Sequence, residues 1–178
     1  SGTSSGTWYA GVIADSGSSV SESSESNNTG YDSVTVNQPS TPADIVVSSV
    51  SCPSSVSAGS TLSCSVTLQN NGGTSTGSFS NQLRLSTNTI ISTSDALLGS
   101  CSSSSISAGG SRTITCSGPV SSGTSSGTWY AGVIADSGSL VSESSETNNT
   151  GYDSVTVNQP VTPADIVVSS VSCPSSVS

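Results

Sequence analysis

The side chains through which this 178-residue chain can do chemistry are few in kind. They are eleven carboxylates, five cysteines, two arginines and a large excess of hydroxyls, 51 Ser and 20 Thr. There is no His and no Lys, and the cations are Arg84 and Arg112 alone. A serine hydroxyl needs a base before it can attack, and general acid–base work, Schiff-base chemistry and most metal sites rely on imidazole or amine groups. The sequence therefore does not read as an enzyme. A net charge of −9 without a basic patch also argues against nucleic acid and anionic membranes as partners. No stretch approaches the ~20 apolar residues of a transmembrane helix, and the opening residues do not form a signal peptide. What remains is thiol and carboxylate chemistry. Five cysteines in so plain a composition point to disulfides and an oxidising compartment, with free buried thiols as the alternative. Carboxylate oxygens are hard ligands for Ca²⁺ wherever a fold gathers them.

The elements that must position these groups follow from a repeat. Residues 1–57 recur as residues 122–178, a shift of 121, with 54 of 57 positions identical. The differences are Ser19/Leu140, Ser26/Thr147 and Ser40/Val161. A period this long is the size of a domain rather than of a solenoid repeat. Two short Pro-containing runs, 38–43 and 158–164, read as stiff linkers. They divide the chain into the C-terminal part of one repeat (1–37, strands F and G), a complete domain (44–157) and the N-terminal strand of a further repeat (165–178).

Within the complete domain the apolar period is two, and turn residues interrupt it every 10–15 positions. Seven strands result: A over 44–51, B over 60–69, C over 78–86, D over 96–102, E over 111–117, F over 127–136 and G over 152–157. Leu62, Cys64, Val66 and Leu68 should point inward from B, and Phe79, Leu83 and Leu85 from C. Ser80, Gln82 and Arg84 should point outward, while Asn81 falls on the inner face and needs a hydrogen-bond partner. On A, Ile45 and Val47 should share one face, and Val46 and Val50 the other. No helical period appears. The expected class is all-β, an immunoglobulin-like seven-stranded β-sandwich in tandem repeats.

Three separated runs carry a family resemblance. They are Ala-Asp-Ile-Val-Val-Ser-Ser-Val from Ala43, Leu-Ser-Thr-Asn-Thr-Ile-Ile-Ser-Thr-Ser-Asp-Ala-Leu-Leu-Gly from Leu85, and Ala-Asp-Ser-Gly-Ser-Leu-Val-Ser-Glu-Ser-Ser-Glu-Thr-Asn-Asn-Thr ending at Thr150. In that order they resemble the cell-adhesion-related domain CARDB. The resemblance implies a secreted β-sandwich, often in tandem, on bacterial or archaeal surface proteins, with no catalytic residues. Asn88, where the family more often has Asp, and the two cysteine pairs depart from the pattern.

The residues themselves suggest how the cysteines pair. Ala58-Gly59 lies midway between Cys52 and Cys64, and Ala108-Gly109 midway between Cys101 and Cys116. Hairpins turning there would place Cys52 opposite Cys64 and Cys101 opposite Cys116, in a sheet ordered A-B-E-D. The competing pairing, Cys64–Cys116 across B and E, also joins neighbours. Cys173 corresponds to Cys52, so its partner is expected beyond this sequence.

Alternating strand polarity puts the F–G loop at the pole that receives the preceding linker. That loop carries Asp136, Glu143 and Glu146, close to Asp44 at the linker's end. These four are the Ca²⁺ candidates, although their spacing fits no known Ca²⁺ loop, and a solvated acidic loop is the preferred reading. No other cofactor is expected. Asn27 and Asn148 each begin an Asn-X-Thr triplet and are candidates for N-glycosylation, and the Ser/Thr loops for O-glycans. Of Trp129 and Tyr130, alternating on strand F, one ring should fill the core and the other face outward, where it can stack on a sugar.

These features point to a structural extracellular repeat protein, an adhesin stalk or filament of head-to-tail sandwiches at the cell surface or secreted from it. The expected partners are neighbouring copies of the repeat. Exchange of the fragment ends between two such chains would still lack strands B to E, so further copies are expected on both sides. The alternatives are a carbohydrate- or partner-binding module and an accessory domain of a secreted hydrolase.

Overall fold

The computed structural model describes residues 3–161 and 163–176, which divide into two compact units, Ser1–Thr41 and Pro42–Ser178. All regular structure among them is β. The first unit is one hairpin, β1 (Gly6–Ile13) and β2 (Thr29–Val36). The second is a sandwich of eight strands. They are β3 (Ile45–Ser51), β4 (Ser55–Ser57), β5 (Thr61–Asn70), β6 (Phe79–Ser86), β7 (Ala96–Ser103), β8 (Ser111–Pro119), β9 (Gly127–Ile134) and β10 (Thr150–Asn158). A three-stranded sheet, β3-β5-β8, faces a five-stranded sheet, β4-β10-β9-β6-β7. The immunoglobulin-like class holds, and several of its expected details change.

The alternation read from the sequence builds the core. Leu62, Cys64, Val66 and Leu68 of β5 are all buried, as are Phe79, Leu83 and Leu85 of β6. Opposite them lie Ala131 and Val133 of β9 and Val155 and Val157 of β10. On β3, a bulge between Val47 and Ser49 shifts the alternation by one residue. Val50 therefore turns back toward the core beside Ile45 and Val47 instead of sharing the outer face with Val46. The extra strand β4 pairs in parallel with β10 through Val56↔Val157. Its three residues follow Cys52-Pro53 and are too short to show a period, so the sequence reads as loop there.

The larger correction concerns the fourth expected strand. β7 pairs with β6, not with β8, so the sheet order A-B-E-D does not occur. Arg84 explains this locally. Its guanidinium donates to the carbonyls of Thr93 and Asp95, both at 2.8 Å, and so ties the connecting loop back onto β6. The loop covers Arg84 and Ser86, which are consequently buried and not exposed as the alternation alone suggests. β7 and β8 then run side by side as the edges of opposite sheets. They meet at Gly99 and Gly118, where a Cβ on Gly118 would lie 2.0 Å from the Leu98 carbonyl oxygen and one on Gly99 2.3 Å from that of Ser117.

Across that seam Cys101 bonds to Cys116, with Cα atoms 5.2 Å apart, so this disulfide ties sheet to sheet. Cys52 bonds to Cys64 with Cα atoms 4.3 Å apart. Cys64 and Cys116 are register partners on β5 and β8, the juxtaposition on which the competing pairing rested, yet each bonds to the cysteine on its other side. Cys173 is free and exposed.

Two buried amides hold the frame. Asn81 donates to the Cys101 carbonyl at 3.3 Å and accepts from the Asp136 N–H at 3.3 Å, which supplies the partners its inner-face position requires. Asn70, fully buried, accepts from the N–H groups of Asp44 and Gly72 and donates to the carbonyl of Thr74 at 2.7 Å. At the end of β5 it stitches together three connections.

The first unit repeats a piece of the second. β1 and β2 pair from Gly6↔Val36 to Ile13↔Thr29, and β9 and β10 pair from Gly127↔Val157 to Ile134↔Thr150, the same register residue for residue. The turn conformations agree as well, with φ of 43° and 49° at Asp15 and Ser18 and 41° and 48° at Asp136 and Ser139. What differs is burial. Val133 and Val155 are closed off in the core, whereas their counterparts Val12 and Val34 are 72 % and 46 % exposed.

Candidate functional site

The acidic residues singled out in the sequence lie on the β9–β10 loop and on the chain entering β3. Asp136 is buried with a left-handed backbone, and its carboxylate accepts from the N–H groups of Leu140 at 3.1 Å and Val141 at 2.8 Å. An Asp in this conformation closes its own loop and satisfies donors that the turn would otherwise strand. Glu143 reaches further. One of its oxygens accepts from the Ile45 N–H and the other from the Asn149 amide at 3.0 Å. The Ser144 N–H donates to the Ala43 carbonyl at 2.8 Å, and the Asn148 amide to the Asp44 carboxylate at 3.0 Å. Glu146 accepts from the Glu143 N–H at 3.3 Å.

The loop is thus a clamp on the first residues of β3. It brings Asp44, Asp136, Glu143 and Glu146 into one region but not onto one point. Their oxygens are aimed at backbone and amide donors. Among the described residues, no three His, Cys, Asp or Glu side chains converge closely enough to hold a metal ion. These four carboxylates do not fit a metal cage of their own. Burial pushes the Glu143 carboxyl up to about 7; the charges of Glu146 and Asp136 add to the rise, and the bonds from Ile45 and Asn149 oppose it.

The Asn-Asn-Thr triplets sit differently in the two units. Asn27 is exposed. The Asn148 nitrogen, to which a glycan would be joined, is held by Asp44. Asn149, whose partner is Glu143, was hidden in the sequence by the glycosylation reading of the same triplet. The signal available was its position immediately before β10, at the closing end of the loop.

On the outer face of the five-stranded sheet, Tyr130 and Tyr152 meet edge to face with centroids 5.6 Å apart. Trp129, on the opposite side of β9, packs against the core and donates to the Ser125 carbonyl at 3.0 Å. Gly132 leaves a notch beside the tyrosines, and Ile91 of the β6–β7 loop fills it so tightly that a Cβ on Gly132 would lie 2.2 Å from Ile91. In the first unit the same notch, lined by Tyr9, Gly11 and Tyr31, is open. The sequence offered Ile90 and Ile91 as a pair without showing which one plugs the sheet.

The two poles of the sandwich complete the geometry. β3 begins at the β9–β10 loop, while β10 ends at the opposite pole, where Asn158 accepts from the Ala58 N–H at 2.8 Å.

Solved structures share this fold. The crystal structure of the CARDB domain of a Pyrococcus furiosus protein, in complex with di-metal ions, aligns with a TM-score of 0.50 at 18 % identity, over 67 % of this chain and 96 % of that one. The solution structure of a domain of a candidate cell surface protein from Methanosarcina acetivorans aligns with a TM-score of 0.51 at 20 % identity, over 67 % and 95 %. At these identities the likeness is one of fold. Among curated proteins none matches the sequence. Residues 42–152 match the CARDB family, and the chain, with more than half its length in that match and a sandwich of the same build, belongs to it.

Proposed function

We propose that this chain is a segment of an extracellular structural protein, a stalk or filament in which CARDB domains follow one another head to tail. The observation that carries the reading is the placement of the chain's points of arrival and departure. β3 starts at one pole beside Glu143, and β10 delivers the chain to the other beside Ala58. A nine-residue strand separates the poles by about 26 Å. With entry and exit at opposite poles, successive domains joined through residues 159–164 can extend in one direction, and the recurring sequence supplies the next domain's first strand. Two disulfides and the absence of His and Lys suit a mechanical part working outside the cell. The surface assignment of the Methanosarcina protein agrees with that placement.

The partners in this reading are neighbouring copies of the repeat, with no cofactor and no catalysis. The competing reading, a carbohydrate- or partner-binding module, would use the Tyr130–Tyr152 face. Ile91 fills the one notch on that face beside the tyrosines, which favours the structural role. Electron cryo-microscopy of the native material tests the proposal. The expected image is an unbroken thread of sandwiches with an axial period of about 30–50 Å, the sandwich plus a six-residue linker. Discrete particles of one or two domains would overturn it.

A further inference from the structure

The four cysteines of the complete domain stand in one row and not as two separate bonds. β5 and β8 pair from Thr61↔Pro119 to Gln69↔Ser111, with Cys64 directly opposite Cys116. Directly opposed residues of an antiparallel pair point to the same face, with Cβ atoms about 4.5–5.5 Å apart. Here that face is the core, since Cys64 is 1 % and Cys116 0 % exposed. Cys52 bonds to Cys64 from one side of the pair, and Cys101, on β7, bonds to Cys116 from the other. The order along the row is Cys52, Cys64, Cys116, Cys101, with the two inner side chains adjacent and each bonded outward.

Burial decides where an outside thiol can enter the row. Cys52 and Cys101 are half-buried at the margin of the core, whereas the inner two are closed off. Exchange proceeds by attack of a thiolate on a disulfide sulfur, so it begins at an outer cysteine. Whichever outer cysteine is attacked, its inner partner is the leaving group. That inner thiolate is set free beside the inner sulfur of the other disulfide. The strand pairing keeps the inner two together after the first bond opens, because both lie within the β5–β8 ladder. The outer two are held less firmly: Cys52 follows the last residue of β3, and β7 is an edge strand.

We infer that the row is an exchange relay: a dithiol reductant that opens either disulfide moves the surviving bond to Cys64–Cys116 and leaves Cys52 and Cys101 as the thiols. When Cys52 is attacked first, the reductant's thiolate bonds to Cys52 Sγ and the Cys52–Cys64 bond breaks, its electron pair leaving on Cys64 Sγ. Cys64 then attacks Cys116 Sγ. The Cys64–Cys116 bond forms, the Cys101–Cys116 bond breaks, and Cys101 leaves as a thiolate and takes up a proton. The reductant's second thiolate displaces Cys52, which is protonated in turn, and the reductant closes to its cyclic disulfide. One dithiol is oxidised and one of the domain's two disulfides is reduced, yet both original ties are lost. The end of β3 is released from β5, and the seam at Gly99 and Gly118 loses its bond between the sheets. What remains links two strands already paired in one sheet. The relay belongs to the single domain and does not rest on the stalk or filament reading.

The test is limited reduction of the full, folded chain with dithiothreitol. Thiols already free are first blocked with iodoacetamide. The reaction is stopped in acid, which protonates the thiolates that exchange requires, and new thiols are labelled with N-ethylmaleimide after unfolding. The species with two new labels is digested with pepsin and mapped by mass spectrometry. Both labels are expected on Cys52 and Cys101, with Cys64 crosslinked to Cys116. Labels on Cys52 and Cys64, or on Cys101 and Cys116, with the other original bond intact, would overturn the inference. So would passage straight to four labels. Cys52→Ser supplies a test without reductant, because Cys64 then begins as the thiol. Its label is expected on Cys101, and a label on Cys64 would likewise overturn the relay.

Discussion

The octapeptide Gly-Thr-Trp-Tyr-Ala-Gly-Val-Ile occurs twice, as β1 and as β9, and this permits a substitution with its own control. Val133 is fully buried between the sheets, and Val12, in an identical sequence, identical register and identical turn, is 72 % exposed. Val133→Ala removes the equivalent of two methylene groups from the core, about 1.6 kcal/mol of transfer energy. The cavity left behind raises the loss to about 2–3 kcal/mol. For a domain of about 115 residues, each kcal/mol lowers the melting temperature by about 4 °C, so the expected drop is about 8–12 °C. Val12→Ala, which vacates no enclosed space, should shift it by less than about 2 °C. Calorimetry of both variants in dilute solution makes the comparison, with urea unfolding as a check that the cooperativity is unchanged. Helix or strand propensity cannot produce a difference, because the local sequences are the same. Equal shifts would refute the reasoning, since they would mean that the N-terminal hairpin is packed in solution as tightly as its copy.

Two further outcomes follow from the clamp and the seam. With no His in the chain, Glu143 is the side chain placed to titrate between about 4.5 and 7. Its carboxyl binds the proton more tightly folded than unfolded, so its contribution to stability is complete below about 4.5 and lost as pH rises through about 7. The melting temperature should fall across that window, and Glu143→Gln should flatten the slope; a slope unchanged in the variant would assign it to another group. Gly118→Val puts a side chain against the Leu98 backbone at the β7–β8 seam, and should abolish the cooperative unfolding transition. A Gly118→Val protein that still melts cooperatively within a few degrees of wild type would show that the sheets can part there without cost.

How much of this was legible depends on whether a feature is written in neighbours along the chain or across it. Strands β5, β6 and β9 were readable because their core-facing residues alternate over five or more positions, as in Leu62-Ser-Cys-Ser-Val-Thr-Leu68, and β3, β8 and β10 from shorter alternations such as Val155-Thr-Val157. The bulge after Val47 was not, because a bulge shifts the alternation without leaving a distinctive residue. Sheet membership of β7 was also invisible. It is decided by Arg84 reaching two carbonyls nine and eleven residues away, and such bonds to backbone carry no side-chain signature. The cysteine pairs were suggested by the Ala-Gly turns midway between them, with Cys64–Cys116 as the rival, although the sheet neighbours assumed for Cys101 and Cys116 were wrong. The acidic loop was located, but counting carboxylates could not show that Asp136 and Glu143 aim their oxygens at backbone and amide donors.

The two hairpins show where the information for this element resides. Between Gly6 and Val36 everything that shapes the turn is local: Asp15 accepting from Ser19 and Val20, both at 2.8 Å, Glu25 accepting from Glu22, and Tyr9 edge-on against Tyr31 at 5.5 Å. The same bonds recur around Asp136, Glu146 and Tyr130 inside the sandwich, although Ser19 is replaced there by Leu140. The sandwich therefore does not impose the conformation of β9 and β10. It receives a hairpin already shaped by its own sequence and adds burial. A preorganised element binds its complement at a lower entropic cost than one ordered on contact.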